Sequence, residues 1–297
     1  MMKMSYLNEV QKCMMGRAKI PVSQRTSRLL EGSYASIYHG RSMNFDELRE
    51  YHPGDEVRDI DWKASARSPK ILVRQYIAEK KHNILLVPDS SIGMSADSPT
   101  GVTKSELAWI TGGMFGLIAQ KNGDYVGAVY GKGNTIARFP FRTELYHIET
   151  ILAGYVRDVV SENKVPLEDV LWHILEHIKS RSVLLVVTDL NGISRISASL
   201  LRKCEVLHDL LFVVTEDMDM YGSHVYDVEA KTYLPSFLTQ NRKLLALQQK
   251  KKQEMIKECE KKLHQNEVQY VMIQKKEEIE KQLIELLKQH RSERHGI

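Results

Sequence analysis

Short apolar runs alternate along the chain with longer segments whose apolar residues recur at helical spacing. Three of these runs, at residues 84–87, 182–187 and 210–214, contain no polar alternation. That pattern is typical of strands that helices cover on both faces. Further strands are predicted at residues 125–130, 135–139 and 268–273, and the first two of these form a hairpin across a Gly-Lys-Gly-Asn turn.

Helices are predicted between these strands. A capping box opens one helix at Thr103, and others begin at Thr143, at Pro166 and near residues 196, 237 and 277. Strands that alternate with helices predict an α/β fold with a doubly wound, mostly parallel sheet flanked by helices. We assign residues 83–297 to this domain.

The first 82 residues are predicted to form an appended, mostly extended element. Residues 4–19 suit an amphipathic helix, whereas residues 32–45 are rich in Gly, Ser and aromatic residues and carry few helix signals. Acidic and basic side chains interleave over residues 46–67, around a turn at Pro53-Gly54. Because Arg binds carboxylates through a planar fork, we interpret this region as an ion-pair network that braces the extension. A metal or acid–base site is the alternative.

The net charge of +4 is concentrated in one segment. Residues 236–265 carry eight Lys or Arg against three Glu, so a formal +5 there leaves −1 for the rest of the chain. The basic helix predicted from Arg242 to Lys262 is either a docking surface for an acidic partner or a solvated helix face. Binding to nucleic acid is not indicated.

The composition also indicates where the protein works. A hydrophobic content of 42% is ordinary for a globular protein with a core. Cys13, Cys204 and Cys259 are far apart and form no CxxC pair, as expected for buried thiols in a reducing compartment. No stretch approaches the roughly 20 apolar residues of a membrane span. We therefore expect a cytoplasmic protein with no membrane span.

Two aspartates follow two of the buried runs. Asp89 comes directly after the run at 84–87, with Ser91 two residues later, and Asp189 follows the run at 182–187. In an open α/β sheet, ligands bind beyond the carboxyl ends of the strands, where these side chains would meet. Carboxylate and hydroxyl oxygens are the ligands that Mg²⁺ prefers. The sequence therefore predicts a divalent-metal site at this edge.

One long block resembles a known family. Residues 44–62 read N-F-D-E-L-R-E-Y-H-P-G-D-E-V-R-D-I-D-W, and Ala64, Ala66 and Arg67 follow. This block is similar to the signature of the domain of unknown function 58 family, and the order of elements agrees from about residue 32 to residue 289. The resemblance implies a von Willebrand factor A-like domain over residues 83–297.

Such domains bind Mg²⁺ or Mn²⁺ at a metal-ion-dependent adhesion site of pattern Asp-x-Ser-x-Ser, completed by a Thr and a second Asp. By this resemblance Asp89 and Ser91 match the first two positions, and Asp189 matches the second Asp. Thr143 is the candidate for the Thr, with Thr135 as its rival. Gly93 stands where the third residue would be Ser, so a water would have to replace one hydroxyl and binding would be weaker.

The same resemblance implies a function. Family members are typically paired with a MoxR-type AAA+ ATPase and are thought to help mature or assemble other protein complexes. We therefore expect a non-enzymatic, metal-dependent protein-binding module that serves such an ATPase and a client complex. Asp89, Ser91, Thr143 and Asp189 would form both the metal site and the partner-binding site.

Two enzymatic alternatives remain open. Residues 173–177 read H-I-L-E-H, the inverted zinc-peptidase motif, with His173 and His177 on one helix face. However, Leu171, Ile174 and Ile178 define the buried face of this helix and leave Glu176 on the solvated side. A metal at the sheet edge could instead polarise a phosphoryl group, as in a Mg²⁺-dependent phosphohydrolase.

Overall fold

A computed structural model of the chain describes residues 5–14, 24–38, 47–52, 55, 57, 60–75, 81–159, 163–219, 221, 225–228 and 230–294. In chain order, its elements are α1 (Tyr6–Met14), α2 (Gln24–Tyr38), β1 (Glu47–Glu50), α3 (Trp62–Ser65), β2 (Leu72–Gln75), β3 (Asn83–Pro88), α4 (Lys104–Lys121), β4 (Tyr125–Lys132), β5 (Thr135–Arg142), α5 (Leu145–Val159), α6 (Leu167–His177), β6 (Val183–Asp189), α7 (Leu190–Arg195), α8 (Ala198–Leu207), β7 (Asp209–Thr215), β8 (Tyr226–Asp227), β9 (Thr232–Tyr233), α9 (Ser236–Thr239), α10 (Arg242–His264), β10 (Gln269–Ile273) and α11 (Ile279–Arg294).

Six strands form one sheet in the order β10-β7-β6-β3-β4-β5. All neighbouring pairs are parallel except β4 and β5, which form an antiparallel hairpin. The chain runs outward from β3 to β5, then crosses to β6 and continues outward to β10. The order therefore reverses between β3 and β6, where ligands bind in doubly wound folds. The predicted α/β, mostly parallel architecture is confirmed.

Helices cover both faces of the sheet, which explains the uninterrupted apolar runs. Successive side chains of a strand point to opposite faces. Ile84 and Leu86 of β3 accordingly pack into one core with α1, α2, α4, α5 and α11. Leu85 and Val87 pack into a second core with α6, α7, α8 and α10. All seven residues of β6 are buried, so this strand has no solvent face on which polar residues could alternate.

The N-terminal extension is more helical than predicted. Residues 24–38 form α2, although residues 32–38 carry few helix signals. Leu30, Tyr34 and Tyr38 recur every four residues and are buried in the first core, so tertiary burial outweighs weak propensity here. In α1, Val10 packs so closely on α4 that a Cβ added at Gly113 would lie 2.7 Å from its Cγ2 atom. The first core therefore contains residues from both the N-terminal extension and the domain predicted to begin at residue 83.

Part of the acidic and basic block at residues 46–67 lies outside the described residues, including Pro53 and Gly54. In the described part, β1 and β2 pair antiparallel. Asp61 caps α3 by accepting hydrogen bonds from the backbone of residues 63 and 64, at 3.1 and 3.0 Å. Lys70 forms an ion pair with Glu50. The wider ion-pair network stays a prediction.

The predicted basic helix is α10, and two of its lysines bind the protein itself. The Nζ atom of Lys252 donates to the carbonyl of Asp217 at 2.9 Å. That of Lys262 donates to the carbonyls of Ile193 and Ser194, both at 3.0 Å. These contacts hold α10 against α7 and the segment that follows β7. Most of the other basic residues of α10 face solvent.

The three cysteines are free and buried, and they lie on three different helices. Cys13 belongs to α1, Cys204 to α8 and Cys259 to α10. In the part of the chain that the structure describes, no helix is both long and apolar enough to cross a membrane.

Candidate functional site

Asp89 lies just beyond β3 with its carboxylate held from two sides. Its Oδ1 atom accepts a hydrogen bond from the backbone N–H of Ser91 at 2.8 Å, and Oδ2 accepts one from the hydroxyl of Thr188 at 2.7 Å. The backbone N–H of Asp89 donates to Val187 of β6, and its carbonyl accepts from the hydroxyl of Tyr155 at 2.7 Å. The side chain is therefore buried, and each of its two oxygens accepts a hydrogen bond.

Asp189 ends β6 and begins α7. Its Oδ1 atom accepts the backbone N–H of Gly192 at 2.8 Å, so the side chain caps the helix. Its Oδ2 atom accepts a charged hydrogen bond from the Nζ atom of Lys104 at 2.6 Å. Like Asp89, Asp189 is almost completely buried.

The two aspartates share one small cavity at the carboxyl edge of the sheet. Ser91 and Gly93 line it together with both carboxylates, and the start of α6 closes another side. A Cβ added at Gly93 would lie 3.2 Å from Oδ2 of Asp189 and 3.9 Å from the Ser91 hydroxyl, which shows how closely these groups approach. The volume of about 30 Å³ is enough for one water molecule or ion. The structure therefore brings Asp89, Ser91 and Asp189 together.

Lys104 supplies a positive charge to this site from the first turn of α4. Only 1% of the residue is exposed, and its ammonium group forms ion pairs with both Asp189 and Asp217. Asp217 follows β7, so a single lysine connects the ends of two strands to the start of a helix. Among the described residues that line the cavity itself, Asp89, Glu168 and Asp189 are acidic and Arg195 is basic, a formal charge of −2 that matches a divalent cation.

The surroundings shift the pKa of two of these groups. Burial raises the pKa of Asp89, and the negative charge of Asp189 raises it further, although hydrogen bonds from Thr188 and Ser91 partly oppose this. Burial lowers the pKa of Lys104, but the attraction of Asp189 and Asp217 outweighs it, so the pKa is raised above 10.5. Lys104 is therefore charged at neutral pH.

The two threonine candidates lie elsewhere, and Thr143 needs a correction. Thr143 follows Arg142 of β5, which is aligned through Val126 with Ile84 near the start of β3. Asp89 lies five residues further along, or roughly 16 Å at about 3.3 Å per residue. Because β5 runs antiparallel, Thr143 is at the opposite end of the sheet and does not join the cavity.

Thr135 begins β5 and lies at the carboxyl edge. It is exposed, and its hydroxyl donates to the carbonyl of Lys132 at 3.0 Å within the hairpin turn. Neither threonine is among the described residues that line the cavity. The hydroxyl that reaches Asp89 instead belongs to Thr188, in the strand of Asp189.

Sequence reasoning missed the role of Lys104, although one signal was present. Lys104 is the first residue of α4, where the partial positive charge of the helix N-terminus disfavours a cation. A lysine in that position requires anionic partners from outside the helix. Nothing in the sequence, however, identified Asp189 and Asp217 as those partners.

The donor set fits a hydrated divalent ion only in part. Each of the four oxygens of Asp89 and Asp189 accepts one protein hydrogen bond, which leaves each carboxylate further lone-pair sites. No three His, Cys, Asp or Glu side chains among the described residues converge to hold a metal. An ion here would need the Ser91 hydroxyl and several waters, which suits Mg²⁺.

The inverted zinc-peptidase motif lies on the surface of α6. The rings of His173 and His177 stack with centroids 4.0 Å apart, and Nδ1 of His177 is bonded to the carbonyl of His173 at 2.9 Å. Glu176 is exposed. In the described residues no third ligand joins the two histidines, so the geometry gives the peptidase alternative no support.

Comparison with known proteins identifies a family match and distant structural similarity. The family model described as Protein of unknown function DUF58 matches residues 47–228. The uncharacterized proteins Mb1516 of Mycobacterium bovis and Rv1480 of Mycobacterium tuberculosis are each 30% identical over 134 residues, which are 45% of this chain and 42% of each relative. The chain thus spans less than half the length of these curated relatives.

Three solved structures are similar to part of this chain. The conserved hypothetical protein BatB from Bacteroides thetaiotaomicron is 14% identical with a TM-score of 0.46, covering 71% of this chain and 99% of that one. An aerotolerance-related membrane protein from Bacteroides fragilis is 9% identical with a TM-score of 0.43, covering 70% and 98%. A von Willebrand factor type A protein from Catenulispora acidiphila is 7% identical with a TM-score of 0.34, covering 71% and 42%.

Proposed function

The chain belongs to the family of proteins of unknown function DUF58, and we propose that it is a non-enzymatic module that binds a partner protein at the carboxyl edge of its sheet. One observation carries the proposal: Asp89, Ser91 and Asp189, from segments about a hundred residues apart, line a single cavity at the switch point between β3 and β6. Ligands of doubly wound folds bind at such a point.

In this proposal the cavity takes Mg²⁺ or Mn²⁺, with Asp89, Ser91 and Asp189 as protein ligands. The bound ion would supply a coordination position for a carboxylate of the partner. The formal charge of −2 around the cavity supports a divalent ion, whereas Gly93 contributes no hydroxyl and keeps the affinity low. Thr143 has no part in the site.

The partner we propose is a MoxR-type AAA+ ATPase, which the protein would serve during the maturation of a client complex. This rests on the family resemblance of residues 44–67. The three free, buried cysteines support a reducing compartment such as the cytoplasm. The exposed lysines of α10 add a surface that an acidic part of the ATPase or client would contact.

The size of the cavity argues against the phosphohydrolase alternative. Pockets that bind small molecules occupy roughly 300–1,000 Å³, which is at least ten times the volume of about 30 Å³ between Asp89 and Asp189. Lys104 is not available to bind a phosphoryl group, because it is buried in ion pairs with two aspartates. The cavity has room for a single ion or water molecule, which is too little for a phosphoester.

The proposal is tested by metal binding and by capture of the purified ATPase. The full chain is titrated with Mg²⁺ by calorimetry and used to pull down the MoxR-type ATPase of the same organism in Mg²⁺ or in EDTA. We expect binding and capture in Mg²⁺, loss of both in Asp89→Ala, and no change in Glu176→Ala, which alters an exposed carboxylate away from the cavity.

Two outcomes would overturn the proposal. Capture of the ATPase that is unchanged in EDTA and in Asp89→Ala would show that the docking surface lies elsewhere. Turnover of a phosphoester or a peptide by the pure protein, abolished in Asp89→Ala, would make the protein an enzyme.

A further inference from the structure

The six-stranded sheet ends in β5 on one side and in β10 on the other, and the two edges are protected differently. β5 contains Pro140, and Arg138 and Arg142 are exposed beside it. The register between β4 and β5 also shifts between Val126 and Ala128. Proline, charged side chains and bulges are the features by which proteins prevent further strands from adding to a sheet.

β10 has none of these features. Its five residues read Q-Y-V-M-I and pair with β7 in parallel register. On its other side, no strand in the described part of the chain is bonded to it. Open backbone N–H and C=O groups of this kind form a template on which an extended peptide can pair.

A groove of about 400 Å³ follows this open side. β10 and the turn before it line the groove, with α10 and α11 contributing from the two faces of the sheet. The volume lies within the roughly 300–1,000 Å³ of ordinary ligand sites. The helices thus leave room for an added strand where they could have closed the edge.

The groove is acidic, which indicates the charge of its occupant. Glu260, Glu267 and Glu285 line it, and no Lys or Arg is among its described lining residues. Burial, together with the nearby Glu260, raises the pKa of Tyr270 to about 12, so the phenol stays protonated and donates a hydrogen bond to Glu260. A cationic segment complements this surface.

We propose that β10 accepts an extended, basic segment of a partner protein as a seventh strand of the sheet. Backbone hydrogen bonds to β10 supply affinity. Lys or Arg side chains on one face of the added strand reach Glu260 of α10, and those on the other face reach Glu285 of α11. A second copy of this chain is a poorer occupant, because two β10 edges in contact would bring the glutamates of both grooves together. This interaction is independent of the metal site.

The probe is a fluorescent hexapeptide of alternating Lys and Val, compared with its Glu and Val counterpart, and binding to the full chain is followed by anisotropy. The test variant is Glu267→Lys/Glu285→Lys, in which both altered residues are exposed. The matched control, Glu258→Lys/Glu277→Lys, reverses the same charge at exposed positions that do not line the groove. Hydrogen exchange of the β10 amides is measured with and without peptide.

We expect the Lys peptide to bind the wild type and the control variant, to bind the test variant at least about tenfold more weakly, and to slow exchange in β10. Equal binding by the two double variants, preference for the Glu peptide, no detectable binding, or unchanged exchange in β10 would each overturn the proposal. So would concentration-dependent dimerisation that protects β10, because a second copy would then be the occupant.

Discussion

The cavity between Asp89 and Asp189 lies at the carboxyl ends of the central strands, and the groove follows the outer strand β10 of the same sheet. The polar groups of the two sites find hydrogen-bond partners in opposite ways. In the cavity, all four carboxylate oxygens accept hydrogen bonds from the protein itself, and Lys104 provides a counter-charge. In the groove, the open side of β10 bonds to no other strand of the described residues. A ligand of the cavity must contact carboxylate oxygens that already accept hydrogen bonds. A peptide in the groove would instead add backbone hydrogen bonds along the side of β10 that faces away from β7.

The two sites therefore contribute differently to the stability of the fold. Buried, mutually bonded charges at the cavity are part of what holds β3, β6 and α4 together, so changes there should alter stability. Exposed charges in the groove are dispensable for the fold and should alter binding alone. Five predictions test this contrast and are given in decreasing order of expected effect.

Replacing Lys104 should have the largest effect. Lys104→Met leaves Asp189 buried without its counter-charge, which we expect to cost about 3–5 kcal/mol of unfolding free energy, measured by urea denaturation. Lys121→Met is the control on the same helix, since Lys121 is exposed and its ion pair with Glu31 should contribute less than about 1 kcal/mol. Equal effects of the two substitutions would show that the buried ion pair does not stabilise the site.

Gly192→Ala should have the next largest effect. A Cβ there would lie 2.0 Å from the Thr188 hydroxyl and 2.9 Å from Oδ2 of Asp89, so the hydrogen bond between those residues must break or the backbone must move. We expect a loss of about 1–3 kcal/mol, as for an overpacked core. Gly32→Ala, on an exposed part of α2 with nothing within 4 Å, should instead stabilise by about 0.5–1 kcal/mol. A neutral Gly192→Ala would contradict this close packing.

Gly93→Ser should restore a hydroxyl beside Asp189. If the cavity binds Mg²⁺, the variant should bind it about tenfold more tightly, equivalent to about 1.4 kcal/mol, by calorimetric titration. Gly93→Ala is the matched control, because it adds the same Cβ without the oxygen. An equal affinity in both variants would mean that position 93 does not face the ion.

The pH dependence of stability should show a smaller effect at Asp89. Because the folded protein raises the pKa of this carboxyl above 3.8, the folded state holds the proton more tightly than the unfolded state. The resulting stability is present below pH 3.8 and is lost as the pH rises through the raised pKa. Unfolding free energies measured across this window should therefore fall in the wild type relative to Asp89→Asn. Parallel curves for the two proteins would contradict the shift.

The smallest effect on stability should come from the groove. Glu267→Lys/Glu285→Lys changes two exposed side chains, and we expect the unfolding free energy to stay within about 0.5 kcal/mol of the wild type. The same variant should lose the Lys–Val peptide. A large loss of stability would remove the contrast between the two sites.

Much of the layout around the cavity could be predicted because it depends on local patterns. Apolar runs followed by Asp89 and Asp189 indicate two buried strands that each end in a carboxylate. Because the carboxyl ends of parallel strands lie at the same edge of a sheet, the two carboxylates are predicted to meet there. Thr143 was misplaced although its hairpin was predicted. A strand that returns antiparallel must end at the opposite edge, so the direction of β5 already excluded this residue.

Other features depend on contacts that no local pattern encodes. Lys104 bonds to residues 85 and 113 positions away, and only the packed fold brings them together. Likewise, α2 forms in a segment of weak helix propensity because Tyr34 is buried against α4 and donates a hydrogen bond to Asp124 at 2.6 Å. The groove along β10 was invisible in the sequence, since an edge strand and a central strand have the same apolar pattern.

The three cysteines lie on three different helices, so each can report the local unfolding of its own helix. Burial raises the pKa of Cys13, Cys204 and Cys259, so each thiol becomes reactive only when its helix detaches from the core. Alkylation followed by mass spectrometry would time the detachment of α1, α8 and α10 separately in the unmodified chain. The order of labelling would rank the N-terminal helix against two helices on the opposite face of the sheet.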